Sequence, residues 1–268
     1  MVGEVGGGFF GKSVSISADG KIIAIGAPYP GIDLGSVMVY GWNEATLDFQ
    51  QRGQTINGCD YFGYSVSLSG SRDTLAIGSP KDNEHGDQSG RIIIYEWDET
   101  VLDYQARSQS LYGEAGDELG RSVVLSADGK SLAVGAEFEY AKVYQFDAAT
   151  LKYIQIGQTF TPDATSDFNF WGSPISLSAD GSTLAIGAPF NDESSVGSGQ
   201  VKVYEWDPVN SNYTKLGNSI IGSGSDLMGQ SVALSRDGKT LVVGSRGNGD
   251  NGSNSGHVRV FSSDDNNF

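Results

Sequence analysis

Three short motifs recur in the same order five times along the 268 residues, and this repetition constrains the fold more than any other feature. The first motif is Gly-x-Ser followed by β-branched or small residues, as at 11–15. The second is Gly-Ala-Pro or a close variant, as at 26–28, and the third ends in a β-branched residue followed by an aromatic one, as at 39–40. The repeats begin near residues 11, 63, 120, 172 and 229, at spacings of 52, 57, 52 and 57 residues. A period of about 50 residues indicates a repeat architecture such as a propeller.

Each repeat is predicted to contain four β-strands and no helix. In the first repeat, residues 13–17 alternate small polar and β-branched side chains, which is typical of a strand. The serines of this strand are expected to recur because small side chains fit where the innermost strands crowd around an axis. The segment Ser-Ala-Asp-Gly at 17–20 predicts a tight turn before a second strand at 21–25. The second repeat places the third and fourth strands at 91–95 and around 104–109.

Four antiparallel strands in a repeat of about 50 residues are the blade of a β-propeller, whose radial closure leaves only protected sheet edges. We therefore predict an all-β chain that forms a single five-bladed β-propeller domain over residues 1–268. Residues 1–10 resemble the end of a repeat, and 261–268 stop where a fourth strand is due. The fifth blade is accordingly predicted to be built from both ends of the chain, which closes the ring. These two ends supply 18 residues where the fourth repeat has 25, so the closing strand is expected to be short.

The charge balance excludes two classes of partner. There are 33 acidic and 17 basic residues, which gives a formal net charge of −16. Such a surface repels nucleic-acid phosphates and anionic lipid headgroups, so no nucleic-acid partner is predicted. No membrane insertion is predicted either, because no apolar run approaches the ~20 residues that a membrane helix needs. The one cysteine, Cys59, excludes an intramolecular disulfide and a multi-cysteine zinc cluster.

The motifs carry a resemblance to a known family. Phe-Gly at 10–11 and 62–63, followed by Gly-Ala-Pro at 26–28 and 187–189, resembles the FG-GAP repeat of integrin α-chain propellers. The segments SADG, GAP and VYEW are similar to those of FG-GAP-like repeat proteins from algae and marine bacteria. The resemblance covers all five repeats. It implies a propeller fold and a role in binding or adhesion, without fixing a ligand.

The resemblance also raises the question of calcium. Integrin propellers hold calcium in a long, aspartate-rich loop between the first two strands of a blade. Here that connection is only Ser-Ala-Asp-Gly, and Ser71 stands at the aspartate position in the second repeat. Calcium takes about six to eight oxygen ligands, which one carboxylate does not supply. We therefore predict no cofactor, with calcium kept as the alternative.

The loops between the second and third strands are the better place for a ligand. The loops at 81–90, 191–199 and 248–254 combine oxygen-bearing side chains with glycines, whereas the third repeat has lost this loop at 137–140. Such loops suit a hard cation or a sugar, but Asn, Asp and Gly also form ordinary solvated turns, which is the favoured interpretation. The side chains assigned to the ligand alternative are Asp82, Asp87, Asp192 and Asp250 for a metal ion, and Asn191 and Asn248 for contact with a ligand.

An aromatic residue follows the third strand in four repeats, as Trp42, Trp97, Phe146 and Trp206. Exposed tryptophans at repeated positions are able to stack on sugar rings, which makes the three tryptophans candidate carbohydrate contacts. The favoured interpretation is that each covers an apolar cleft between blades or folds over the outer hairpin.

Catalysis has little support in the sequence, and we predict that the protein is not an enzyme. Gly-x-Ser lacks the final glycine and the strand-to-helix setting of a nucleophile elbow. The two histidines, His85 and His257, lie in different repeats. Catalytic groups are expected as departures from the repeat, and the main ones are Glu137 and Arg246 at the proline position of the second motif. They form no evident carboxylate pair of the glycosidase kind.

The leading functional hypothesis is a non-enzymatic binding or scaffold module that mediates protein–protein interaction, or a peripheral subunit of a larger assembly. The alternative is a carbohydrate-binding propeller, and a glycosidase is the third interpretation. The compartment stays open: an extracellular or surface-associated location is favoured, with an organelle or a larger complex as the other settings.

Overall fold

The structure is a computed structural model that describes residues 1, 3, 8–29, 35–58, 60–137, 140–161 and 174–263. These residues form β-strands joined by turns, and no α-helix occurs in the described ranges. The strands are β1 (Ser13–Ile16), β2 (Ile22–Ala27), β3 (Gly35–Asn43), β4 (Asp48–Gln51), β5 (Ile56–Gly58), β6 (Ser65–Leu68), β7 (Thr74–Ser79), β8 (Arg91–Asp98), β9 (Asp103–Tyr112), β10 (Ser122–Leu125), β11 (Ser131–Gly135), β12 (Ala141–Asp147), β13 (Lys152–Phe160), β14 (Ile175–Leu177), β15 (Thr183–Ala188), β16 (Gln200–Asp207), β17 (Asn212–Lys215), β18 (Ile220–Ile221), β19 (Met228–Leu234), β20 (Thr240–Ser245) and β21 (His257–Ser262).

The strands form five antiparallel sheets, one for each repeat, and the predicted five-bladed β-propeller is confirmed. Blade 1 contains β1–β5, blade 2 β6–β9, blade 3 β10–β13, blade 4 β14–β18 and blade 5 β19–β21. In blades 1 and 4 the outer strand is split into two short strands that both pair with the third strand of the blade. Glycines with positive φ, Gly53 and Gly217, interrupt these outer strands, which the sequence prediction of one continuous strand did not anticipate.

The chain divides into two compact units, Met1–Lys130 and Ser131–Phe268. The first unit holds blades 1 and 2 with β10, and the second holds β11–β13 with blades 4 and 5. Blade 5 has three strands in the described part of the chain. Most of residues 1–10 and 264–268, assigned from the sequence to its closing strand, lie outside the described residues. Ring closure and a single domain over 1–268 therefore stay predictions.

The predicted Ser-Ala-Asp-Gly turns are held by a side-chain network. In blade 1 the Ser17 hydroxyl donates to Asp19 Oδ1 at 2.6 Å, and the same hydroxyl accepts from the Ile22 amide at 2.9 Å. Asp19 Oδ1 also accepts from the Lys21 amide at 3.1 Å, while Gly20 has a φ of +72°. Ser–Asp bonds of 2.6–2.7 Å recur in the turns of blades 3, 4 and 5. Each turn therefore closes its hairpin through local bonds that the motif itself encodes.

The first two motifs meet at the contact between neighbouring blades. The Ser13 hydroxyl of blade 1 donates to the carbonyl oxygen of Gly63, the leading glycine of blade 2, at 2.8 Å. A Cβ built on Gly26 would lie 2.1 Å from that oxygen, so only glycine fits there. Ser65 and Gly78 of blade 2 receive the Gly120 carbonyl in the same way, at 2.7 Å from the hydroxyl. We call such a serine–glycine pair a carbonyl seat.

The serines of the first motif donate hydrogen bonds to the next blade. This role differs from the one expected, which was that small side chains recur because they fit where the innermost strands crowd around an axis. The second serine of the motif is also bonded: Ser15 Oγ accepts from the Leu68 amide at 2.9 Å, and Ser67 Oγ accepts from the Leu125 amide at 2.9 Å.

Apolar side chains fill the space between blades around these bonds. In the first unit, Val37 and Val39 of blade 1 share one buried cluster with Val66 and Leu68 of blade 2. In the second unit, Val201 and Val203 of blade 4 share a cluster with Leu241 of blade 5. Alternate residues of the strands point to opposite neighbours, so each blade is buried on both faces wherever it has two neighbours.

Replacement of Gly78 by alanine tests the carbonyl seat. The added Cβ would lie 2.2 Å from the Gly120 oxygen, so we expect Gly78→Ala to lower the free energy of unfolding by roughly 1–3 kcal/mol. Gly244→Ala is the matched control, because a Cβ there would meet a serine hydroxyl at 2.4 Å, as at Gly78, but no carbonyl of a further blade. Thermal unfolding in dilute solution should show a clearly larger loss for Gly78→Ala, and equal losses would contradict the assignment.

The turn aspartates predict how stability depends on pH. Hydrogen bonds from Ser17 and Ser235 hold the pKa of Asp19 and Asp237 below the ordinary value of 3.8. Because the folded-state pKa is depressed, this stabilisation is present above about pH 4 and is lost as the pH falls through the folded-state pKa. We expect the double variant Ser17→Ala/Ser235→Ala to lose less stability than the wild type between pH 5 and pH 3, measured by thermal unfolding. Ser69→Ala is the control, since its partner Ser71 does not titrate, and an equal effect there would contradict the prediction.

Candidate functional site

The loop between β7 and β8 is folded around the buried Asp82. Asp82 Oδ1 accepts from the Glu84 amide at 2.9 Å, and the Asp82 backbone oxygen accepts from the Gly90 amide at 3.0 Å. The Ser89 hydroxyl donates to the same backbone oxygen at 3.1 Å. The loop is therefore a closed turn whose polar side chain satisfies its own backbone.

The same closed turn recurs in blades 4 and 5 around Asn191 and Asn248. Asn191 Oδ1 accepts from the Glu193 amide at 2.9 Å, and Asn248 Oδ1 accepts from the Asp250 amide at 3.2 Å. The backbone oxygens of both asparagines accept from the amide of the glycine immediately before the next strand, each at 2.9 Å. Asp82, Asn191 and Asn248 thus occupy one structural position, and in each blade the side-chain oxygen caps a turn.

These loops also hold the segment that leads to the next blade. In the second unit, the Met228 amide donates to the Ser198 oxygen at 3.1 Å, and the Ser195 hydroxyl donates to the Gly224 oxygen at 2.8 Å. Asn248 Nδ2 donates to Asp226 Oδ1 at 3.0 Å, which ties the loop of blade 5 to the same segment. The pKa of Asp226 lies below its usual value: burial opposes this, but hydrogen bonds from Ser223 and Asn248 outweigh it.

The four carboxylates considered as metal ligands are dispersed. Asp82 Oδ2 lies 3.9 Å from the Arg91 guanidinium, Asp192 Oδ1 accepts from the Gly197 amide at 2.5 Å, and Asp250 Oδ2 accepts from Asn248. Asp87 accepts through its backbone oxygen from the Gly116 amide at 2.9 Å. Within the described residues, no group of three or more His, Cys, Asp or Glu side chains is arranged to hold a metal ion. The ligand role of these residues stays an untested prediction.

Chelation tests the calcium alternative. Because oxygens of Asp82 and Asp192 are already bonded to backbone amides, we expect excess chelator, compared with millimolar calcium, to change the melting temperature by less than roughly 5 °C. A larger decrease, on the scale of about 1–2 kcal/mol for a domain of this size, would show that a bound ion stabilises the fold.

The three tryptophans considered as sugar contacts pack against the outer strands. Trp42 lies edge-to-face on Phe49, Trp97 on Tyr104, and Trp206 on Tyr213, with ring centroids 5.1–5.2 Å apart. The Arg52 guanidinium lies 3.9 Å above the Trp97 ring. These contacts stabilise the outer hairpins, and carbohydrate contact by the tryptophans remains a prediction.

Two tyrosines that pack against these tryptophans stabilise the outer hairpins through their hydroxyl groups. The Tyr104 hydroxyl donates to the Arg72 backbone oxygen and the Tyr213 hydroxyl to that of Gly181, each at 2.7 Å. Burial raises the pKa of Tyr104 to about 12 and also raises the pKa of Tyr213. Each tyrosine therefore joins the outer strand of its blade to the turn between the first two strands.

One surface stands out from the repeat, and we call it the open face of blade 5. It consists of Val242, Val258 and Val260 with Ser231 and Gly244. Val258 and Val260 are 68% and 66% exposed. The residues at the same register in other blades, Val37 and Val39, Ile92 and Ile94, and Val201 and Val203, are fully buried.

The open face contains a serine–glycine pair like the other carbonyl seats, and no carbonyl of the described residues occupies it. Ser231 pairs with Gly244 in register, as Ser13 does with Gly26 and Ser65 with Gly78. At Gly26 and Gly78 an added Cβ would meet the carbonyl of the next blade, whereas at Gly244 it would meet only atoms of Ser231. A cleft of about 400 Å³ lies here, lined by Ser231, Gly244, Ser245, Arg246, His257 and Val258 among others.

Arg246, noted in the sequence as a departure from the repeat, and His257, noted as one of the two histidines, therefore line one cleft. Ser245 Oγ and His257 Nε2 are buried atoms without a hydrogen-bond partner. Glu137, the other departure at the proline position, is buried in blade 3. His85 lies in a different place, stacked on Tyr112 at 3.8 Å.

The inner strand of blade 1 also exposes apolar side chains. Val14 and Ile16 of β1 are 65% and 58% exposed. Residues at the same positions in the inner strands of blades 2, 3 and 4 are buried, among them Val66 and Leu68, and those of blade 5 are partly buried. The sequence contains no sign of this difference, because the five inner strands read alike.

The fold and its serine–glycine seats define a repeat β-propeller. The sequence profile of the FG-GAP repeat matches residues 56–95 and 222–261, each of which covers the entry segment and most of the first three strands of a blade. These matches and the five blades confirm the resemblance to FG-GAP repeat propellers drawn from the sequence, and the profile itself identifies FG-GAP repeats in two of the five blades. The comparison with curated proteins gives no match.

Solved structures share the fold at low sequence identity. The chain is 14% identical to hydrazine synthase of Kuenenia stuttgartiensis, with a TM-score of 0.55 over 91% of this chain and 57% of the other. It thus spans less than two thirds of that chain. Structures described as putative 6-phosphogluconolactonases, from Bacteroides uniformis and Bacteroides fragilis, match with TM-scores of 0.55 and 0.53. Their identities are 13% and 12%, over 94% of this chain and 80% of theirs.

The prediction that this protein is not an enzyme is contradicted by these structural relatives. It relied on an analogy of fold with binding propellers, together with the lack of an evident carboxylate pair or nucleophile in the sequence. The same fold is shared with proteins named as lactonases and as a synthase, so the fold does not separate binding proteins from enzymes. As for a membrane span, none of the described residues forms a helix with the length and apolar character needed to cross a bilayer.

Proposed function

We propose that this chain is a protein-binding module and that the open face of blade 5 is its binding surface. The observation that carries the proposal is the exposure of Val258 and Val260, whose equivalents in three other blades are fully buried, in blades 1 and 4 within a cluster shared with the next sheet. Complete burial of a valine side chain is worth roughly 1.5–3 kcal/mol, so this face gains considerably from a partner.

The chemistry of the face favours a partner that presents a β-sheet. Its apolar residues are β-branched and stand on two adjacent strands, β20 and β21, like the surfaces that other blades use for sheet-on-sheet packing.

A photo-reactive side chain at Val260 tests the proposal. We expect the variant Val260→p-benzoylphenylalanine to cross-link to a discrete protein in native extract, whereas the same substitution at Val196 should not. Val196 is a matched control because it is also a strongly exposed valine, but it lies in a loop of blade 4. Equal cross-linking at both positions, or none at either, would contradict the use of this face.

A further inference from the structure

We propose that the starts of the inner strands β1, β6 and β10 form a binding site for a phosphate group. The side chains that bind it are Lys12, Tyr64 and Arg121, which stand between the glycine and the serine of the first motif in blades 1, 2 and 3. All three belong to the compact unit Met1–Lys130. The site is thus a second function of the chain, beyond the protein binding proposed for blade 5.

Two cationic side chains converge on the ring of Tyr64. The Lys12 ammonium lies 4.8 Å from the ring centroid, and the central carbon of the Arg121 guanidinium lies 5.0 Å from it. Arg121 Nη1 also donates to the Tyr64 hydroxyl at 2.7 Å. The ring attracts each cation, but the two cations repel one another, so an anion that lies beside both stabilises the arrangement.

One carboxylate, that of Glu118, already serves two cations in this cluster. Its Oε2 accepts from Arg121 Nε at 2.9 Å and lies 2.8 Å from Arg121 Nη2. Its Oε1 accepts from Lys81 Nζ, which also donates to the side-chain oxygen of Gln88. In the part of the chain that the structure describes, Lys12 forms no ion pair with a carboxylate. The network of Lys12, Lys81, Arg121 and Glu118 therefore has two positive charges in excess.

The missing carboxylate at Lys12 contrasts with the composition of the chain, which has 33 acidic and 17 basic residues. Lys21, the other lysine of blade 1, is paired with Glu44 at 2.7 Å. The position of Lys12 is occupied by the neutral Gln230 in blade 5. A positive charge here is therefore a departure from the repeat that the blade architecture does not require, which favours a role in binding.

The donors of the cluster suit a phosphate group. The Tyr64 hydroxyl accepts from Arg121, and none of the described residues accepts the proton of this hydroxyl, which leaves it for a ligand oxygen. Lysine and arginine form strong, charge-assisted hydrogen bonds with phosphate oxygens. A phosphate monoester carries about −1.5 to −2 charges at pH 7, which matches the positive excess of the network better than the single charge of a carboxylate.

Calorimetric titration of the purified chain with inorganic phosphate tests the proposal. We expect saturable binding, and Lys12→Gln should weaken it at least roughly tenfold, equivalent to about 1.4 kcal/mol. Lys12→Arg keeps the charge and should retain the affinity. Tyr64→Phe keeps the ring but removes one donor, so it should weaken binding about threefold or more. Lys21→Gln is the matched control, because it removes the same charge from the same blade and should leave the affinity unchanged.

Glycerol 3-phosphate and acetate, titrated in the same way, distinguish the source of the group. Binding of glycerol 3-phosphate at least as tight as that of phosphate supports a phosphate monoester as the ligand, and weaker binding supports the free ion. Equal affinity for acetate and phosphate overturns the assignment. So does the absence of saturable phosphate binding up to about 10 mM, or an equal loss with Lys12→Gln and Lys21→Gln. None of these outcomes bears on the cross-linking expected at Val260, so the two proposals fail separately.

Discussion

One interblade contact recurs between neighbouring blades: the carbonyl of a leading glycine lies directly against a glycine of the preceding blade, at Gly26, Gly78 and Gly187. Ser13 and Ser65 also donate a hydrogen bond to this carbonyl, whereas Pro174 stands at the serine position of blade 4. The requirement common to the three contacts is the absence of a Cβ, which leaves little freedom for substitution at these glycines. This explains why Gly-x-Ser and Gly-Ala-Pro recur together while the loops between them vary in length. The apolar residues around the seat supply most of the burial, but the seat fixes how one blade is registered on the next.

The fold was predictable because each motif encodes a local geometry. Ser-Ala-Asp-Gly folds into a turn through bonds among its own residues, and the alternation in the inner strands places valines and serines on opposite faces. The reason for the serines was not predictable in the same way. A single sequence shows that Ser13 is small and repeated, but its acceptor, the Gly63 carbonyl, lies 50 residues away. The splitting of the outer strands near Gly53 and Gly217 was missed as well. Gly157 of blade 3 has a similar positive φ but lies within the continuous strand β13, so a glycine at this position does not by itself predict a break.

The sequence was a weaker guide to the functional site. The loops around Asp82, Asn191 and Asn248 were considered as candidate ligand sites because carboxylate and amide side chains bind calcium and sugars. In the structure the oxygens of these side chains accept hydrogen bonds from backbone amides and cap turns in all three blades. The open face was missed because Val258 and Val260 have the same residue type and spacing as Val201 and Val203. Burial depends on whether a neighbouring sheet is present, and a repeated pattern contains no information on which copy lacks one.

This difference between pattern and exposure is general to repeat proteins. A repeat interface has a donor face and a receiving face on every copy, and the residues of both faces recur whether or not a given copy is covered by a neighbour. Blade 5 retains valines at Val258 and Val260 and the seat at Gly244, while blade 1 retains Val14 and Ile16. The residues that pack blade against blade are therefore repeated at positions that differ in exposure, so the exposure of a given copy follows from its surroundings in the structure and not from the repeated pattern.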